Sequence, residues 1–95
     1  MGGSEKRSRG IKNMYHIILK SKAERQFKKL PKRMKTTMAK AIDSLSLDPY
    51  VGKKLQGKLT GFWSLRIWPY RIIYSIEKKI VTVTIVTIRQ RKDVY

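Results

Sequence analysis

GFWSLRIWPYRIIYSIEKKIVTVTIVTIRQRKDVY, Gly61 to Tyr95, is the stretch whose reading decides the fold. It divides into three runs, 62–68, 70–77 and 79–89, parted by turns at Trp68-Pro69 and at Glu77-Lys78-Lys79. Each run is dense in β-branched and aromatic residues, which suit a pleated, half-buried surface. The run IVTVTIVTI is almost free of charge, so it is expected at the centre of a sheet rather than at its edge.

Side chains of a strand alternate between faces. Trp63, Leu65 and Ile67 therefore form a core face, with Phe62, Ser64, Arg66 and Trp68 on the other. A two-residue turn at Trp68-Pro69 pairs Ile67 with Tyr70 and sets Arg66 directly opposite Arg71. Two guanidinium groups in that position repel unless an anion lies between them. Primed hairpin turns favour Gly or Asn, which Trp-Pro does not supply, so a longer loop is the alternative. In the last run, unbroken alternation puts Val81, Val83, Ile85, Thr87, Arg89 and Arg91 on one side and extends the cationic patch toward Tyr95. Phe62 and Trp68, on the polar face, are candidates for stacking on unpaired bases.

Upstream, residues 1–13 mix Gly, Ser and charge without an apolar period and read as a flexible basic leader or tag. Met14–Leu19 reads as a short strand whose His16 is a packed or edge residue, and Ser21 is available as the N-cap of a following helix. Ala23, Phe27 and Leu30 lie at helical spacing. Pro31 fits the first turn of a second helix, on which Met34, Met38, Ala41, Ile42 and Leu45 share a face before Asp48-Pro49 stops it. The segment 50–61 reads as a loop tacked down by Leu55 and Leu59. Residues 14–95 thus form one α+β domain in the order β-α-α-β-β-β, a helical hairpin packed on a small, mainly antiparallel sheet.

The charge balance narrows the function classes. The chain has 23 Lys+Arg against 6 Asp+Glu, a net charge of +17. The leader holds four basic residues and one acidic, so +14 remains on residues 14–95. Such a balance points to an acidic partner, nucleic acid first, through steering and counterion release. No apolar run is long enough to span a bilayer and no basic amphipathic anchor is evident, so no membrane partner is expected and a cytoplasmic location follows. With no cysteine and one histidine, a protein metal cage is not expected and catalysis without metal or other cofactor is.

Gly61-Phe62-Trp63-Ser64-Leu65-Arg66-Ile67, Pro69-Tyr70-Arg71-Ile72-Ile73-Tyr74 and Arg89-Gln90-Arg91-Lys92-Asp93-Val94-Tyr95 together resemble the C-terminal half of the RelE/ParE toxin superfamily, the first of them its YoeB/Txe branch. The resemblance extends more weakly over most of residues 14–95. It implies a RelE-like fold and a ribosome-dependent mRNA endonuclease of a toxin–antitoxin system, neutralised by a cognate acidic antitoxin. It further implies that Arg66 and Arg71 hold the scissile phosphate, that Arg91 stabilises the leaving 5′ oxygen, and that Tyr95 stacks on or deprotonates the nucleotide. Lys53, Lys54, Lys58 and Arg89 are expected as RNA contacts. Two departures stand out: Ser64 replaces a lysine of RelE-type members, and this chain lacks the carboxylate that YoeB-type members have near Lys53 and has Val94 in place of their histidine. Because arginine stays protonated, the general base is not among the matched arginines. The alternatives are a ParE-like inhibitor of DNA gyrase and a non-catalytic RNA-binding or degenerate toxin.

Overall fold

The computed structural model describes residues 14–90. The chain opens with strand β1, His16–Leu19, then helix α1, Ser21–Lys28, and helix α2, Lys32–Leu47. After a 3-10 turn at Pro49–Val51 come the two-residue strand β2, Lys53–Lys54, and a second 3-10 turn at Gly57–Leu59. Strands β3, Trp63–Ile67, β4, Tyr70–Glu77, and β5, Thr82–Gln90, complete the described chain. The five strands form one sheet in the order β1-β5-β4-β3-β2. β1 runs parallel to β5, and the other neighbours are antiparallel. A parallel pair needs a long crossover, which residues 20–81 provide.

The core lies between the helices and one face of the sheet. Ala23, Leu30, Met38, Ile42 and Leu45 come from the helical layer, and Ile72, Tyr74, Val83, Ile85 and Ile88 from the sheet. Each fully buried Ile, Leu or Met contributes about 1.5–3 kcal/mol. β5 carries residues 82–88 of the IVTVTIVTI run between β1 and β4, the interior place its composition anticipated. Trp63, Leu65 and Ile67 pack against this core, as alternation required.

Several local expectations are corrected. Ser21 is the first helical residue rather than the cap: Lys20 occupies the N-cap position without a side-chain bond. The cause is that the Lys20 N–H still donates to the Ile85 carbonyl at 3.0 Å, so the chain passes directly from sheet pairing into the helix. Pro31 sits at the N-cap of α2, one position before its first turn, where its missing N–H likewise costs nothing. Leu55 is half-buried but Leu59 is exposed, because it ends a solvent-facing 3-10 turn. The segment read as loop contributes an edge strand, β2. The third run begins as strand only at Thr82, after a 3-10 turn at Lys78–Ile80 that ends on Val81 in the left-handed region, φ 49°.

The largest correction is a β-bulge. Ile73 is opposite Thr87 and Tyr74 is opposite Ile85, which leaves Val86 as an extra residue in β5. Alternation is inverted there: Val83 and Ile85 are core residues, and past the bulge Ile88 takes over that role. Arg89 therefore does not share a side with Val83 and Ile85.

Candidate active site

The two-residue hairpin forms. Ile67 pairs with Tyr70, and Arg66 is directly opposite Arg71. The Trp68-Pro69 peptide bond is cis, the geometry of a turn with proline at its third position, which the Gly/Asn rule for primed turns does not cover. Arg71 is also directly opposite Arg89 on its other side. Arg66, Arg71 and Arg89 thus make a row across β3, β4 and β5, on the face turned away from the helices. Without the bulge at Val86, Arg89 would face the core.

One step along the sheet lies a second row. Lys53 is opposite Ser64, and Ser64 is opposite Ile73. Lys53, Ser64, Arg66 and Arg71 line a concavity of about 460 Å³, with Val51 and Leu55 as apolar walls. Arg66 is exposed, Arg71 and Arg89 are half-buried, and Ser64 is buried. The carboxylates of the described residues are placed elsewhere. Glu24 and Asp43 are on the helices, Asp48 accepts from the Tyr50 N–H at 3.1 Å, and Glu77 ends β4. Glu77 is six residue steps along β4 from Arg71, about 20 Å at roughly 3.3 Å per residue. The row is left cationic, ready for an anion with two or more oxygens in the plane of guanidinium forks.

Gly52 fixes the wall that carries Lys53. A Cβ there would collide with the Tyr74 hydroxyl and lie 2.6 Å from the Ser64 carbonyl oxygen. The Tyr74 hydroxyl donates to the Pro49 carbonyl at 2.6 Å, anchoring the 49–52 segment to β4. Burial is the main cause that pushes the Tyr74 pKa up to about 12, so the phenol stays a donor.

The other expected residues fall as follows. Lys54 alternates away from Lys53 and lies 5.9 Å from the centroid of the Trp63 ring, on the core side of β2. Trp63 itself meets the edge of Tyr50, centroids 5.3 Å apart. Lys58 is exposed in the turn before β3. Phe62 is half-buried and accepts from the Leu55 N–H at 2.9 Å, and Trp68 is 63% exposed at the hairpin tip. His16 is exposed on β1, the opposite edge of the sheet from β2. Arg91 and Tyr95 lie outside the described residues. Among the described residues, no three His, Cys, Asp or Glu side chains gather as metal ligands, and no helix is long and apolar enough to cross a membrane.

A family model described as the ParE toxin of the type II toxin–antitoxin system parDE matches residues 17–95. The chain belongs to the RelE/ParE toxin superfamily. It is 35% identical over 83 residues to Toxin RelG of Mycobacterium tuberculosis, a match covering 85% of this chain and 95% of RelG. A chain of the M. tuberculosis RelBE2 toxin–antitoxin complex superposes with a TM-score of 0.77 at 32% identity, covering 82% of this chain and 92% of that one. The archaeal RelE–RelB complex of Pyrococcus horikoshii provides a chain with the same fold, TM-score 0.73 at 24% identity over 85% of this chain and 99% of that one. Within this RelE-like toxin, the arginine row is built by pairing register, and Ser64, one of the two departures from the resemblance, has Lys53 as its direct cross-strand neighbour. Sequence spacing alone had no means of joining Lys53 to Ser64, because the two-residue β2 gives no periodic signal.

Proposed function

We propose that this toxin is a ribosome-dependent endoribonuclease that cuts mRNA, acts in the cytoplasm, and is held inactive by an acidic antitoxin. The observation that carries the reading is the row Arg66–Arg71–Arg89 beside the concavity that Lys53 and Ser64 line. In this reading Arg66 and Arg71 grip the non-bridging oxygens of the scissile phosphate, and Arg89 extends the grip along the backbone. The 2′-OH attacks the adjacent phosphorus, the bond to the 5′ oxygen breaks, and the products are a 2′,3′-cyclic phosphate and a 5′-OH. The proton of the 2′-OH goes to a base, and the 5′ oxygen takes one up. The arginines stabilise the added negative charge of the transition state but do not accept the proton. Arg91 is assigned to the leaving oxygen and Tyr95 to the nucleotide, both by resemblance. Holding the RNA in line on the ribosome supplies much of the remaining rate. An antitoxin partner is supported by the relatives solved as RelBE2 and RelE–RelB complexes.

Purified toxin incubated with programmed ribosomes should give discrete cuts inside the reading frame by primer extension, and should cut the same RNA poorly when it is free. Efficient metal-dependent cleavage of naked RNA would count against the proposal. The match to the ParE toxin family keeps a second reading, a ParE-like contact inhibition of DNA gyrase. Intact mRNA together with loss of gyrase supercoiling in the presence of the toxin would favour it.

A further inference from the structure

We infer that Gln26 is a positioning residue for the cationic row, acting through β5 on Arg89. The inference rests on the phosphate-binding role proposed above.

β1 pairs with β5 only as far as Leu19 opposite Ile85, and the chain then turns away into α1. Beyond that point no strand among the described residues pairs with β5 on this side, and a backbone donor left there without a partner would be costly. Gln26, half-buried on α1 between the core residues Ala23 and Phe27, reaches across. Its Oε1 accepts the Ile88 N–H at 2.7 Å and the Thr87 hydroxyl at 3.0 Å. One side chain thus stands in for the absent strand.

The location gives this contact its functional weight. Thr87 and Ile88 are the two residues between the bulge residue Val86 and Arg89. The bulge inverts the alternation of β5, and only the inverted phase puts Ile88 into the core and Arg89 opposite Arg71. By tying both residues to α1, Gln26 holds β5 in that phase and so sets where the Arg89 guanidinium can be. Gln26 lies on α1, on the helical side of the sheet, and its two hydrogen bonds go to Thr87 and Ile88 rather than to Arg89 itself.

The prediction is a specific non-additivity. In the full-length toxin, Gln26→Met keeps the length of the side chain but removes its oxygen acceptor, and cleavage on programmed ribosomes should fall by about 10- to 100-fold, as for a misplacement of about 1 Å. Arg89→Ala should be similarly impaired. In the double variant the two losses should not multiply: activity should match Arg89→Ala alone, although the loss of thermal stability from Gln26→Met persists. Full multiplication of the two effects would overturn the inference, since a merely structural glutamine would act independently of Arg89. A wild-type rate for Arg89→Ala, by contrast, would strike at the phosphate-binding reading itself. Hydrogen exchange on the unmodified toxin gives a test that needs neither activity nor a folded variant. The Ile88 amide should be protected to the level of Val83, which sits inside the β1–β5 pairing, and rapid exchange at Ile88 would show that Gln26 does not hold it.

Discussion

Arg71→Ala should move function and stability in opposite directions. Arg71 has a like-charged residue directly opposite it on both neighbouring strands, Arg66 and Arg89. Each such pair is destabilising by about 0.2–1 kcal/mol, and the side chain belongs to the face away from the core. Removing it relieves both pairs at the loss of some stem packing, so the variant should be as stable as the parent or up to about 1.5 kcal/mol more so. In a domain of this size, 1 kcal/mol corresponds to roughly 4–8 °C in Tm. The relief is electrostatic and must shrink with salt, because the screening length falls from about 10 Å at 0.1 M to about 3 Å at 1 M. The Tm of parent and variant should therefore converge in 1 M salt. On programmed ribosomes the same substitution should slow single-turnover cleavage by about 30- to 1000-fold, the 2–4 kcal/mol expected for a charge-assisted contact to a developing anion. Arg71→Lys separates the two effects, since it keeps the charge and so the repulsion, yet lacks the planar fork and should recover only part of the rate. A folded Arg71→Ala toxin that cuts at the parental rate, or one destabilised by more than 1 kcal/mol at low salt, would refute the picture of a self-repelling phosphate grip.

Three further outcomes can be checked with little apparatus. Gly52→Ala forces a Cβ against the Tyr74 hydroxyl and the Ser64 carbonyl; it should cost about 1–3 kcal/mol by denaturant titration and lower cleavage as Lys53 shifts, and an unchanged midpoint would show that the 49–52 segment yields freely. Tyr74 in the folded state titrates near 12 against about 10 when unfolded, so its contribution is fully present below pH 10 and is lost as pH rises from about 10 to 12, on the order of 2 kcal/mol. Tyr74→Phe should be less stable at neutral pH, by about 1–2 kcal/mol for the unpaired Pro49 carbonyl, but should lose less further stability across that alkaline window, and parallel pH curves for the two proteins would contradict the assignment. Val81 is a β-branched residue at φ 49°, a strained conformation. Val81→Gly should raise the unfolding free energy by about 0.5–1.5 kcal/mol, and a drop would mean that its partly exposed side chain contributes more than the backbone strain removes.

Much of this arrangement was legible in the sequence because it depends on periods. The helical stripes of α1 and α2, the split of β3 into a core face and a polar face, and the central place of β5 all follow from the spacing of apolar residues. The pairing of Arg66 with Arg71 follows from a turn length. What escaped was non-periodic. A bulge is one extra residue, and Val86 is as apolar as its neighbours, so nothing in IVTVTIVTI marks where the phase changes. The one available sign is that unbroken alternation would put Arg89 on the same side as Val83 and Ile85, an unpaired charge in a core. β2 is two lysines long and could be found only from its partner, and Gln26 could be suspected only as a polar residue flanked by Ala23 and Phe27 on the inner side of α1.

The same strands that align the cations also supply what holds them together. Leu65 and Ile67 alternate with Arg66, Ile72 follows Arg71, and Ile88 precedes Arg89, so each arginine in the row has as chain neighbours residues that pack on the helices. Burial of Ile72 or Ile88 is worth about 1.5–3 kcal/mol, whereas the two cross-strand repulsions together amount to about 0.4–2 kcal/mol. The core side therefore outweighs the cationic side residue by residue, and the row can be kept empty without splaying the sheet. An anion entering it gains its own contacts and also relieves the repulsion already present. The free energy of that relief is available only to a ligand that bridges at least two of the three guanidinium groups, which favours a phosphodiester backbone, or an acidic segment of an antitoxin, over an isolated monovalent anion.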